Sequence, residues 1–65
     1  MKFEVEIVLE YSDESEVSFD VTFEGSENEA EATFRMITRG TLMASMAKRA
    51  ICYNKEGFDV CSYTK

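Results

Sequence analysis

The sequence predicts an α+β fold of order β-β-α-β, in which a three-stranded antiparallel or mixed sheet carries one long helix on one face. Three observations point there: two consecutive stretches that alternate apolar and polar residues, a serine-led run of helix formers after Gly25, and a short apolar segment after Gly57.

From Lys2 to Tyr11 the odd positions Phe3, Val5, Ile7, Leu9 and Tyr11 are apolar, while Lys2, Glu4, Glu6 and Glu10 take even ones, with Val8 the exception. Side chains on a strand alternate between faces, so this is a strand with one buried face. Ser12-Asp13-Glu14-Ser15 supplies turn chemistry. Val17, Phe19, Val21 and Phe23 then alternate with Ser18, Asp20, Thr22 and Glu24, giving a second strand paired antiparallel to the first. The odd-numbered residues of this hairpin are expected to meet the helix.

Gly25 ends the second strand. Ser26-Glu27-Asn28-Glu29 fits a capping box, with the Ser26 hydroxyl taking the Glu29 amide. Acids in the first turns, bases in later ones and an i,i+4 pair of Glu31 with Arg35 all favour a helix. Met43 to Ala50 is rich in good helix formers, which extends the helix to about Tyr53, with Asn54 or Gly57 in its C-terminal cap. Phe58 to Tyr63 is the closing strand. A right-handed crossover places it beside the first, so the sheet runs second, first, third. The alternative ends the helix near Ala47 and turns Ala50 to Tyr53 into a strand, in hairpin with Phe58 to Tyr63 through Asn54-Lys55-Glu56-Gly57, for an order of β-β-α-β-β.

On a helix this long, Ala30, Phe34, Ile37, Thr41, Ala44 and Ile51 share one arc flanked by Gly40, Met43 and Ala47, and this is the face assigned to the sheet. A glycine inside a helix costs about 1 kcal/mol, so Gly40 implies close approach of helix to sheet. Arg35, Arg39, Leu42, Met46, Arg49 and Tyr53 fall on the opposite side at alternating spacings of four and three. That is a seam pattern made of residue types enriched in interfaces. A second candidate surface is the sheet face away from the helix, where Glu4, Glu6, Glu10, Asp20 and Glu24 project together.

Sixty-five residues, 45% hydrophobic and 31% charged, without proline, make one domain over residues 1–65. No apolar run approaches the roughly 20 residues that span a bilayer, and the expected compartment is the cytoplasm. Cys52 and Cys61 cannot make a tetrahedral metal site without histidine, so no metal or cofactor is expected; free thiols are expected over a disulfide. Without histidine, acid–base chemistry near neutral pH would need a carboxylate or lysine of strongly shifted pKa in a pocket that this chain scarcely provides. The serines sit in no nucleophile elbow and the glycines form no phosphate loop. An enzyme is not the expectation; a protein-binding module is.

Charge narrows the partner. The net charge is -6, and residues 1 to 34 hold 11 acids against the single base Lys2, whereas residues 35 to 65 hold six bases against Glu56 and Asp59. The acidic excess disfavours direct contact with nucleic acid, and the two-ended field would steer encounters with a charged protein.

The layout also resembles the small acidic inhibitor proteins that tailed phages make early in infection, among them antitoxins of the Dmd type, which block a host toxin ribonuclease. The resemblance runs through the apolar strand after Met1, the long helix, the turn at Asn54-Lys55-Glu56 and the closing segment with Val60-Cys61. Anti-CRISPR and anti-restriction inhibitors share the size and acidity. What this resemblance implies is a protein that occludes a host nuclease, toxin or nucleic-acid-binding defence protein in the host cytoplasm. The acid face (Glu4, Glu6, Asp20) or the stripe from Arg35 to Tyr53 would make the contact. The alternative is a structural or regulatory homodimer paired through that stripe.

Overall fold

A computed structural model describes all 65 residues, and its chain runs β1 (Lys2–Glu10), β2 (Glu16–Glu24), α1 (Glu27–Ala44), β3 (Arg49–Tyr53) and β4 (Asp59–Thr64). The four strands form one antiparallel sheet in the order β2-β1-β3-β4. The fold is α+β with one helix, and its four strands follow the alternative order β-β-α-β-β and not the three-stranded β-β-α-β arrangement. The strand beside β1 is Arg49–Tyr53, running antiparallel to it, and the closing strand lies at the far edge instead of against β1.

The β1–β2 hairpin keeps to its alternation. Its loop is closed by Tyr11 N–H donating to the Ser15 carbonyl at 2.9 Å. Asp13 Oδ1 accepts both the Ser15 N–H, at 3.0 Å, and its hydroxyl, and Glu14 takes the left-handed conformation (φ 71°) that a short loop of this kind requires. Phe3, Val5, Ile7 and Leu9 sit opposite Phe23, Val21, Phe19 and Val17 on the helix side.

The helix begins after Ser26, yet the capping box does not form. The Ser26 side chain makes no cap hydrogen bond, and Glu29 N–H donates instead to the Ser26 carbonyl at 3.1 Å. The expected pair does form, with Arg35 Nη2 2.8 Å from Glu31 Oε1.

The helix ends at Ala44, well before the expected Tyr53. At Ser45 the backbone turns extended (φ -102°, ψ 172°), its N–H donates to the Leu42 carbonyl, and its hydroxyl donates to the same carbonyl while accepting from Ala47 N–H. Arg49–Tyr53 is a strand because both of its faces find cover. Ala50 and Cys52 face the helix beside Leu9 and Ile7, and Ile51 faces the other way beside Val8. The methyl groups of Ala47 and Ala50 are fully buried, so small residues that favour a helix locally are also what fits between sheet and helix here. Asn54 Oδ1 then accepts the N–H groups of Glu56 and Phe58, and Gly57 (φ 86°) completes the turn into β4.

The helix therefore buries a different face from the one its sequence suggests. Ala30, Phe34, Thr38 and Leu42 are buried, one per turn, with Ile37 and Thr41 only partly so, while Met43 and Ala44 are exposed. Gly40 is exposed and a methyl added there would meet nothing within 4 Å, so close approach does not explain it. Phe34 stands edge-on to Phe3 and Phe23, whose rings stack 6.3 Å apart, which anchors the start of α1 over the β1–β2 ladder. Thr38, whose hydroxyl donates to the Phe34 carbonyl at 2.6 Å and accepts from the Cys61 thiol at 3.6 Å, carries the helix on to β4. Because α1 lies over β1, β3 and β4, it leaves the first half of β2 uncovered: Val17 is 51% and Phe19 37% exposed, against the expectation that they meet the helix.

Candidate functional site

The register places the open face of the sheet residue by residue. Gly25 N–H donates to the Met1 carbonyl, as Tyr11 N–H does to Ser15, so the odd-numbered pairs of the β1–β2 ladder exchange hydrogen bonds. The even-numbered pairs are then the non-hydrogen-bonded ones, in which side chains approach most closely. Glu6 stands opposite Asp20 and Glu10 opposite Glu16, and Glu4 and Glu24 extend the same face. Of these acids only Glu10 is held in an ion pair, with Arg49 Nη1 at 3.7 Å, while Glu24 stands opposite Lys2 in the register. The remaining carboxylates make no ion pair and no hydrogen bond within the fold.

These acids line a groove. Beyond Glu6, β1 has no partner on its β3 side, because β3 ends at Tyr53. The gap opens into a shallow depression of about 580 Å³, with Glu4, Glu6, Asp20 and Thr22 along one wall and Tyr53 and Lys55 along the other. Val8 and Ile51 cross the middle of the face as a small apolar strip between Ser18 and Ser62. The three acids expected from sequence, Glu4, Glu6 and Asp20, are thus brought together; Tyr53 and Lys55, which reach them through the β3–β4 turn, were hidden by the assumption of a continuous helix. No three of the cysteine, aspartate and glutamate side chains are placed to hold a metal ion.

The expected stripe on the helix is not one surface. Arg35 and Arg39 remain exposed on α1, Arg35 held by Glu31, whose hydrogen bond raises the guanidinium pKa still further. Leu42 is buried in the core at 2% exposure, Met46 stands free at 92% in the bend after the helix, and Arg49 and Tyr53 belong to β3. The 3.5-residue spacing is real in the sequence but has no helix to run along. What α1 does expose is Met36 and Met43, 75% and 67% exposed, on a line with Gly40.

Cys52 and Cys61 are free, buried and directly opposite one another. Burial pushes the Cys52 thiol up to about 11, against a smaller lowering by a hydrogen bond with Thr38. Such a thiol is protonated and unreactive near neutral pH. At the exposed hairpin loop, hydrogen bonds from Ser15 hold the Asp13 carboxyl below its usual range.

No helix is long and apolar enough to cross a membrane. Compared with family models, curated proteins and solved structures, the chain matches none.

Proposed function

We propose that this chain is a binding protein that docks its acidic sheet face on a basic surface of a nuclease, toxin or other nucleic-acid-binding protein and occludes it, the mode of a phage-type inhibitor. The observation that supports this reading is the open face itself: Glu4, Glu6, Asp20 and Glu24 gather on one face, Glu6 directly opposite Asp20, and none of the four is held in an ion pair. A surface that binds phosphates must be basic, and an acidic array competes with phosphate by charge. The half-buried Tyr53 and Val8 give the face an aromatic and an apolar contact inside a charged rim, the usual anatomy of a protein interface.

The test uses the chain and its Glu4→Lys/Glu6→Lys/Asp20→Lys variant as baits against bacterial lysate at about 0.05 M and about 0.5 M salt, with retained proteins identified by mass. A nucleic-acid-binding protein retained by the native chain should be lost both in the variant and at high salt, and its activity should fall when the native chain is added. Retention indifferent to charge reversal and salt refutes the reading.

Self-association is the second reading, and the exposed line of Met36, Gly40 and Met43 on α1 favours it. Sedimentation across a range of concentrations decides it, since a mass that stays monomeric excludes it.

A further inference from the structure

The hydrogen-bond register that orders the open face also fixes what the outer edge of β2 presents. Since the odd-numbered residues of β2 bond to β1, the even-numbered Glu16, Ser18, Asp20, Thr22 and Glu24 turn their N–H and C=O groups outward. No strand lies beyond β2, and it runs unbroken for nine residues. The other free edge, β4, has six residues and a register shift opposite its start, so it is the poorer template. Along β2 the outward backbone groups belong to residues whose side chains lie on the acidic face. The intervening Val17 and Phe19 expose apolar side chains on the helix side, where α1 does not reach.

We propose that β2 accepts a strand from a protein partner, an extended segment in which basic residues alternate with apolar ones. A strand added there places every second side chain beside Glu16, Ser18, Asp20, Thr22 and Glu24, where lysine or arginine meets the acids and a small polar residue meets Ser18 and Thr22. Its remaining side chains fall beside Val17, Phe19, Val21 and Phe23 and cover the apolar surface the helix leaves open. Backbone hydrogen bonds supply affinity and the alternation supplies specificity. The same charges discourage a second copy. An antiparallel pairing of two β2 strands about Asp20 sets Asp20 against Asp20 and Glu16 against Glu24, and pairings about Ser18 or Thr22 set Asp20 against Glu16 or Glu24. Acids on the edge thus exclude this chain and admit a basic one. The inference rests on the reading that the acidic face meets a basic partner, and adds how the partner is held.

The test is a titration of isotope-labelled protein with a blocked nine-residue peptide, Lys-Val-Thr-Val-Lys-Val-Thr-Val-Lys, and with a peptide of the same composition ordered in blocks. The alternating peptide should bind at least ten-fold more tightly and slow hydrogen exchange at the amides of Ser18, Asp20 and Thr22 at least ten-fold. Thr22→Pro deletes an outward donor without touching the β1 ladder and should remove the preference. Asp20→Lys, at an exposed position opposite Glu6, should weaken the alternating peptide at least ten-fold and keeps the test decisive if the proline variant misfolds. Equal binding of the two peptides, with shifts spread over the whole acidic face, overturns strand addition and leaves the acidic-face reading standing. Failure of both peptides to bind at low salt overturns both. Protection of the same amides by protein concentration alone, without peptide, makes the occupant a second copy and overturns the proposal.

Discussion

Leu42 and Met46 stand one helical turn apart in sequence, and the structure assigns them opposite fates under the same substitution. Leu42 is 2% exposed beneath α1, so Leu42→Asp removes about 2–5 kcal/mol of buried apolar contact. It also places a carboxyl where water cannot reach. The cheapest escape is protonation, which at pH 7 costs about 4 kcal/mol for a group that ordinarily titrates near 4. The two penalties together reach or exceed about 6 kcal/mol, against a total stability of about 3–10 kcal/mol for a chain of this length. Leu42→Asp should therefore be largely unfolded at pH 7 and should regain most of that ~4 kcal/mol by pH 4, where its carboxyl is about half protonated in the unfolded chain. Met46→Asp, at 92% exposure, should stay within about 0.5 kcal/mol of the native chain. Urea unfolding followed by far-ultraviolet circular dichroism at both pH values measures all of this. A Leu42→Asp protein within about 1 kcal/mol of the native chain would refute the reasoning and restore a long helix with Leu42 on its outer face.

Two glycines should respond with opposite sign. Gly40→Ala, in an exposed helix interior with open space around the new methyl, should stabilise by about 0.5–1 kcal/mol. In Gly25→Ala the new carbon would lie 2.7 Å from the tip of the Phe23 ring, which Phe3 and Phe34 hold in place, so a loss of about 1–3 kcal/mol is expected; urea midpoints check both. Cys52 gives a pH signature. Its folded pKa of about 11 lies above the 9.0 of a free thiol, so the stability it contributes is complete below pH 9 and is lost as pH rises towards 11, by up to about 3 kcal/mol. Stability measured over that range should fall in the native chain and flatten in Cys52→Ala; the same slope in both would refute the assignment.

The hairpin was legible because its signal is periodic and local: Phe3 to Leu9 and Val17 to Phe23 each hold period two, and the turn between them sets the pairing. The acidic face came from the same periodicity. Residues 45 to 53 were legible as a strand only in the alternative reading, because most local preferences in Met43 to Ala50 favour helix. The strand there exists for reasons outside its own sequence: Ile7 and Leu9 offer a ladder, and α1 passes close enough that only methyl groups fit at Ala47 and Ala50. Ser45, a poor residue inside a helix and a good one at its end, was the one local hint. An overextended helix aligns Leu42, Met46, Arg49 and Tyr53 in a seam that does not exist, whereas Tyr53 at the end of β3 and Lys55 in the turn line the groove. Exposure of Val17 and Phe19 could not be read either, since it depends on the path α1 takes across the sheet.

The order of the sheet also sets the order in which it can be assembled. β1 with β2, and β3 with β4, are neighbours in sequence and can zip as hairpins on the microsecond scale. Neither pair is stable by itself, because a lone hairpin is marginal in water. The ladder that joins them sets Ile7 beside Cys52, and everything between must be in place first. In a chain emerging from the ribosome, Val5, Ile7 and Leu9 therefore stay uncovered until β3 has cleared the exit. The carboxylates of Glu4, Glu6, Asp20 and Glu24 on the other side then keep waiting hairpins of neighbouring copies from stacking. Slow synthesis through residues 45 to 53 should lengthen that exposure.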